Sequence, residues 1–217
     1  MTGGDRDKSA AKGPAIKASR RGATRDRLIA AGEAMIGQRG IDGVSLEEIA
    51  RAAGQANKYA VQYHFGSREG LIQAILDTRI AAIEVERHAL LASMDPTDVH
   101  AIIGAFVRPL AHQVDAEGQC AFARFLLQFA TQFQPWPDIV HPLSEASGDA
   151  ASLALFEALC AALPQHAPRL LGERLMLLMH LPLRALLPGP DKQQADPAER
   201  LDDVIAMMVA ALTAPSR

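Results

Sequence analysis

Apolar residues recur every three or four positions along most of the chain, and no run alternates apolar with polar as a half-buried strand would. Thr24 can cap a first helix whose inner face carries Leu28, Ala31 and Met35, and Gly40 stops it. Ser45 followed by Glu48 is a capping box, with Val44 and Ile49 placed as a hydrophobic staple. The second helix then points Leu46, Ile49, Ala50 and Ala53 inward, and Gly54 suits the left-handed residue that ends it. A short third helix is predicted from near Asn57, anchored by Val61 and Phe65. Ser67 caps a long fourth helix with Leu71, Ile72, Ile75, Ile80 and Ile83 on one stripe, broken at Asp95-Pro96. Further helices are predicted over 97–114 (kinked by Pro109), 118–133, 150–163, 168–187 and 197–213, with a turn at Pro135-Trp136-Pro137. The pattern is that of an all-α protein of about nine helices. It divides into an arm over 1–22, a three-helix head over 23–68 and a helical body over 69–217.

Two short helices joined by a tight turn form a helix-turn-helix, whose second helix enters the major groove of DNA. The charge distribution agrees. Residues 1–66 hold 11 Lys and Arg against 7 Asp and Glu, a net of +4, and the remainder is −7. A basic head on an acidic body suits a phosphate-binding surface whose other end is kept off the polyanion. The first 21 residues, rich in Gly, Ala, Lys, Arg and Ser, read as a disordered basic arm. With Val61 and Phe65 turned inward, Tyr59 and Tyr63 face outward and Gln62 lies on a flank. Gln62 is the candidate for a base contact, since its amide pairs bidentately with adenine. Lys58 is placed for phosphate, Ser45 is counted with the DNA-contacting residues, and Arg20 and Arg21 of the arm could reach a flanking minor groove.

The stretch Ser45 to Gly54, the segment Val61-Gln-Tyr-His-Phe-Gly-Ser-Arg68-Glu-Gly-Leu71, Gly40, and Arg25 to Ala31 resemble the tetracycline-repressor (TetR/AcrR) family of bacterial transcriptional regulators. The resemblance implies that Tyr63 and His64 clamp the DNA backbone and that Arg68 adds a basic group beside them. It also implies a body that takes up a small, often apolar inducer and so changes the spacing of two heads. One residue more than the family's pattern stands between Gly54 and Phe65. It is placed within Gln55-Ala56-Asn57, with Asn57 able to cap the third helix.

In the body, Phe106, Phe122, Phe125, Phe129 and Trp136, with His112 as a polar group, are the ligand-binding candidates, although phenylalanines at helical spacing equally make a plain core. The last two helices carry Leu170, Leu171, Leu175, Leu178, Leu181 and Leu186, then Leu201, Ile205, Met208, Val209 and Leu212. That apolar surface exceeds what one small body needs, so a homodimer through these helices is expected.

No carboxylate pair, nucleophile elbow, phosphate loop or metal-ligand spacing stands out, so no enzyme, cofactor or metal is expected. Cys120 and Cys160 are far apart and read as reduced thiols. The charged start of the chain is unlike a signal peptide, and Leu175 to Leu187 is interrupted by His180, Pro182 and Arg184. A cytoplasmic protein without membrane association follows as an expectation. The expected function is a transcriptional repressor, released from a near-palindromic operator by a small apolar ligand. The alternatives are a regulator of the same fold without an inducer, and a helical carrier of apolar ligands that binds no DNA.

Overall fold

The computed structural model describes residues 12–114, 119–131, 151–189 and 196–215. Every regular element among them is a helix: α1 (Lys12–Arg39), α2 (Leu46–Ala52), α3 (Ala60–Phe65), α4 (Arg68–Ser93), α5 (Val99–Ala111), α6 (Ala121–Thr131), α7 (Ala151–Ala162), α8 (Pro168–Leu178), α9 (His180–Ala185) and α10 (Pro197–Thr213). The helix expected over 168–187 is divided at Met179. Pro182 has no N–H to give the carbonyl of Leu178, so the ladder breaks one turn ahead of the proline and restarts as α9. None of these helices is long and apolar enough to cross a membrane.

The start of α1 departs from expectation. The segment from Lys12 to Gly22, read as part of a disordered arm, forms the first turns of α1, and Thr24 lies inside the helix instead of capping it. Ala15, Lys17, Ala18, Arg20 and Arg21 are good helix formers, and Pro14 falls in the first turn, where its missing N–H costs nothing. Residues 1–11 lie outside the described residues. At its other end α1 stops at Gly40, whose φ of 79° is the left-handed value that glycine adopts freely.

Two hydrophobic clusters hold the chain together. The first joins Leu28 and Ile36 of α1, Ile49 of α2 and Val61 of α3 to Leu71, Ile72 and Ile75 of α4 and to Phe122 and Phe125 of α6. The second gathers Ile102, Ile103, Phe106 and Val107 of α5 with Leu155 and Leu159 of α7, Leu171 and Leu175 of α8, and Leu201, Ile205, Met208 and Leu212 of α10. Helix α6 therefore packs with the head. Gly37 makes that approach possible, because a Cβ there would stand 3.1 Å from the backbone nitrogen of Phe125.

Buried polar groups fix the crossings. Glu33 of α1, only 2% exposed, receives both Nε and Nη2 of Arg79 from α4 at 2.7 and 2.8 Å. Farther along α4, buried Arg87 donates to Glu84 and to the carbonyl of Phe106 on α5, each at 2.8 Å. The other oxygen of Glu84 accepts the backbone N–H of Ser152 at the start of α7. Burial pulls the Arg87 guanidinium below its usual pKa, and Glu84 opposes that shift. At the far end Arg174 of α8 caps the last carbonyls of α10, while Arg200 of α10 caps Ala185 at the end of α9.

Of the apolar residues on the last helices, Leu171, Leu175, Leu201, Ile205, Met208 and Leu212 are buried within the protomer. The exposed ones are Met176, Leu177 and Met207, with Leu177 at 73%.

The Glu33–Arg79 pair yields a direct test. Removing one partner strands a buried charge. Arg79→Ala, which leaves the Glu33 carboxylate buried and alone, is expected to lower stability by about 3 kcal/mol in urea unfolding. Glu33→Leu combined with Arg79→Met should recover most of that loss. A single variant within about 0.5 kcal/mol of the parent would show that the pair contributes little.

Candidate nucleic-acid interface

The capping box forms as its residues require. Ser45 Oγ accepts the N–H of Glu48 at 3.2 Å, and Glu48 Oε2 accepts both the N–H and the hydroxyl of Ser45 at 2.8 Å. Arg39 adds an ion pair to Glu48 at 2.7 Å. The Ser45 backbone bond, then Arg39 and the Ser45 hydroxyl, hold the Glu48 carboxyl down at about 2. The Ser45 hydroxyl, expected on DNA, is thus engaged in starting α2.

After α2 the chain turns through Gly54, at φ 70°, where the left-handed conformation that favours glycine is required. In the following turn Asn57 Oδ1 accepts the N–H of Tyr59 at 3.0 Å and the Asn57 carbonyl accepts that of Ala60. Consequently α3 begins at Ala60, later than expected, and Asn57 orders the turn ahead of it. Ala60 and Val61 are buried and Phe65 is half-buried, which leaves the opposite face free.

On that face stand Gln62, exposed, with Tyr59 at 56% and Tyr63 at 66% exposure. Lys58 is also exposed, its Nζ 3.4 Å from Glu47 Oε1 and 5.0 Å from the centre of the Tyr59 ring. Tyr63 and His64 meet edge to face at 5.2 Å. From α1, Arg21 lies 5.2 Å over the Tyr63 ring and Arg25 lies 5.4 Å over that of Phe65. Partial burial, and then the charges of Arg21 and Arg25, pull the His64 imidazole below its ordinary pKa. The ring is therefore neutral at pH 7 and has one N–H to donate. Lys58, Tyr59, Gln62, Tyr63, His64 and Arg21 are thus brought to one surface.

Arg68 is placed otherwise. Its half-buried Nη1 donates to the carbonyls of Ile41 and of Val44, the latter at 2.8 Å, and so ties the α1–α2 loop to the first turn of α4. A basic residue after the aromatic pair reads as a phosphate ligand in sequence, because its loop partners lie 24 and 27 positions away. Glu47 is a contributor that pattern alone did not select, whereas for Arg25, as for Arg27, the sequence stands evenly between phosphate contact and none. Both act across helices, Arg25 from α1 onto α3 and Glu47 from α2 onto Lys58.

The ligand-binding candidates are divided: Phe122, Phe125 and Phe129 stack along α6, and Phe106 and His112 stand apart from them. Phe106 belongs to the second cluster, while Phe122 and Phe125 belong to the first, and all three are at most 1% exposed. Phe129 is half-buried and stacks on Phe125 at 6.3 Å. His112 is exposed, its Nδ1 2.7 Å from Glu86. Trp136 lies outside the described residues.

Residues 28–75 match the sequence pattern of the tetR family of bacterial regulatory proteins. The matched stretch runs from the second half of α1 through α2 and α3 into the start of α4. Three solved structures show the same fold over nearly their whole length. The tetR-family regulator PfmR of Thermus thermophilus is 20% identical, with 89% of this chain and 97% of that one covered, at a TM-score of 0.58. AibR, solved with isovaleryl coenzyme A and operator DNA, is 19% identical over 83% and 97%, at 0.56. NalD, the secondary repressor of the MexAB-OprM multidrug efflux pump in Pseudomonas aeruginosa, is 20% identical over 90% and 97%, at 0.53. No curated protein matches the sequence.

The residues placed otherwise than expected make separable predictions. Arg68→Ala should cost about 2 kcal/mol of stability in urea unfolding while leaving the salt dependence of DNA binding unchanged. A lowered salt slope with unchanged stability would return Arg68 to the phosphate contacts. For Glu48, a folded-state pKa below the unfolded value of about 4.3 means stabilisation that is complete above that value and lost as the pH falls towards about 2. Glu48→Gln should therefore be less stable than the parent at pH 7, and the difference should close between about pH 4.3 and pH 2. A gap independent of pH would remove the ionised carboxylate as its cause.

Proposed function

We propose that this chain is a homodimeric repressor whose two heads grip a near-palindromic operator and whose body answers a small ligand. The observation that carries the reading is the single exposed face built from Lys58, Tyr59, Gln62 and Tyr63 of the α3 region, with Arg21 and Arg25 of α1 beside it. It offers cations for phosphate, one amide for a base edge and two rings for thymine methyls. Residues 23–68 serve as the head and 69–217 as the body.

A six-residue recognition helix binds weakly alone, so the dimer supplies the affinity, with half-sites about 34–36 Å apart or a multiple of that. Met176 and Leu177 of α8 and Met207 of α10 are its natural interface, being apolar, exposed and on neighbouring helices. The similar AibR and NalD, the one solved with a coenzyme A thioester and operator DNA and the other a repressor, support ligand response and repression here. A second reading is favoured by the complete burial of Phe106, Phe122 and Phe125: a regulator whose body is filled by its own side chains and takes no inducer. Reciprocity separates the two. An inducer must raise the melting temperature of the free protein, and it must weaken DNA binding by the same factor by which DNA weakens its own binding.

For the head, Lys58→Ala should reduce the salt slope by about one per head on every sequence. Gln62→Ala should instead cost about 1–3 kcal/mol on the preferred site and relax choice at one base pair. Equal losses on preferred and scrambled duplexes would remove Gln62 from base reading. For the dimer, Leu177→Glu with Met207→Glu should give a folded monomer in sedimentation that no longer holds the operator. A persistent dimer would place the interface on another face.

A further inference from the structure

The chain has two tyrosines, Tyr59 and Tyr63, and both stand exposed on the outer face of the α3 region. Each carries a cation over its ring. Lys58 Nζ lies 5.0 Å from the centre of Tyr59, and the Arg21 guanidinium lies 5.2 Å from that of Tyr63. Two residues on, the Phe65 ring carries Arg25 at 5.4 Å. All three distances fall inside the roughly 6 Å at which the quadrupole of a ring attracts a cation. Such pairs arise about once in 70–80 residues, so finding every ring of residues 59–65 engaged in this way is a concentration that crowding alone does not give. Among the described residues the one other pair is Arg87 over Phe106, in the core.

A ring differs from a carboxylate in holding a cation without neutralising it. Other basic residues of the head are spent elsewhere. Arg39 pairs with Glu48, Arg68 donates to two carbonyls, and Arg27 turns back to bond Ala23 and Thr24 on its own helix. Arg21 and Arg25 are exposed and have no carboxylate partner among the described residues. Lys58 has one in Glu47, but both ends of that pair are more than half exposed, so a phosphate can replace the carboxylate while the ring stays in place. A long basic side chain that is loose in water must be ordered when it meets a phosphate, and that ordering opposes binding. A ring that already holds the side chain removes part of the cost. Each ring keeps a second face, and each tyrosine its hydroxyl, for the duplex itself.

We propose that Tyr59, Tyr63 and Phe65 are positioning residues, each a seat that fixes one phosphate-binding cation of the head before DNA arrives. The seats gather cations from two elements onto one front, Lys58 from the start of the α3 region and Arg21 and Arg25 from α1. The arginines stand four positions apart, hence on one side of α1, and so reach two rings of the same short helix. Seating acts on the backbone of duplex DNA and adds affinity on every sequence alike, which leaves choice of base to Gln62. The proposal rests on the DNA-binding reading of the head.

The test is a set of double-variant cycles in the full-length protein, read on a mixed-sequence duplex of about 30 base pairs at low salt. Arg21→Ala is made in the parent, in Tyr63→Phe, which keeps the ring, and in Tyr63→Leu, which removes it. Both tyrosines are exposed, so these changes leave the core intact. Arg21→Ala should weaken binding by the same factor in the parent and in Tyr63→Phe, and by a factor about two- to fivefold smaller in Tyr63→Leu. Lys58→Ala should depend in the same way on Tyr59→Phe and Tyr59→Leu. In the free protein the side-chain protons of Arg21 should show an upfield ring-current shift by NMR, kept in Tyr63→Phe and lost in Tyr63→Leu. Equal factors in all three backgrounds, or Arg21 protons without that shift, would overturn the proposal. A parent that leaves the duplex unbound would overturn the DNA-binding reading and the proposal with it, whereas equal factors in a parent that does bind would overturn the seats alone.

Discussion

One buried carboxylate sets the frame for the head. Glu33 is almost wholly removed from water, which an unpaired charge could not tolerate, and both of its oxygens are met by Arg79. The pair allows α1 and α4 to cross in essentially one register. A slip of a single residue would turn either partner away by about 100°. In that register Gly32 lets Leu71 and Ile75 come against α1, and Arg68 reaches the carbonyls that lead into α2. The short α3 has little to hold it by itself. Its position follows from Val61 and Phe65 packing into a site that α1, α2 and α4 have already shaped.

The same core continues into α6. Phe122 and Phe125 belong with Leu28, Ile36 and Leu71, and at Gly37 the two backbones come so close that a Cβ would stand 3.1 Å from the nitrogen of Phe125. The helices α5, α7, α8 and α10 form a separate cluster. Helix α4 passes from one to the other, and the transition falls near Glu84 and Arg87, whose bonds reach α5 and α7. Helix α6 is therefore packed against α1, the same helix that carries the Arg21 and Arg25 contacts to α3.

Local signals in the sequence were read correctly where the controlling physics is local. The capping box at Ser45, the stop at Gly54, the Ser67 cap and the inward pair Val61 and Phe65 each depend on residues within four positions. The helical character of the body was legible for the same reason. What was not legible depends on distant partners. Arg68 is claimed by carbonyls of another loop, His112 by a carboxylate of α4, and Ile205 by a core that α5 and α7 complete. Periodicity shows that a residue faces inward, but it does not say which of two clusters receives it. That is why Phe106 was grouped with Phe122. The early start of α1 was missed because a helix made from Ala, Lys and Arg has no apolar stripe to announce it.

The decisive measurement is native-state hydrogen exchange across a series of low denaturant concentrations. If α6 shares a core with the DNA-binding head, the inner amides of α1, the first half of α4 and α6 should open with one common free energy and one denaturant dependence. Those of α5, α7, α8 and α10 should form a second group. Exchange of α6 together with α5 and α7, at a free energy distinct from that of α1, would contradict the shared core.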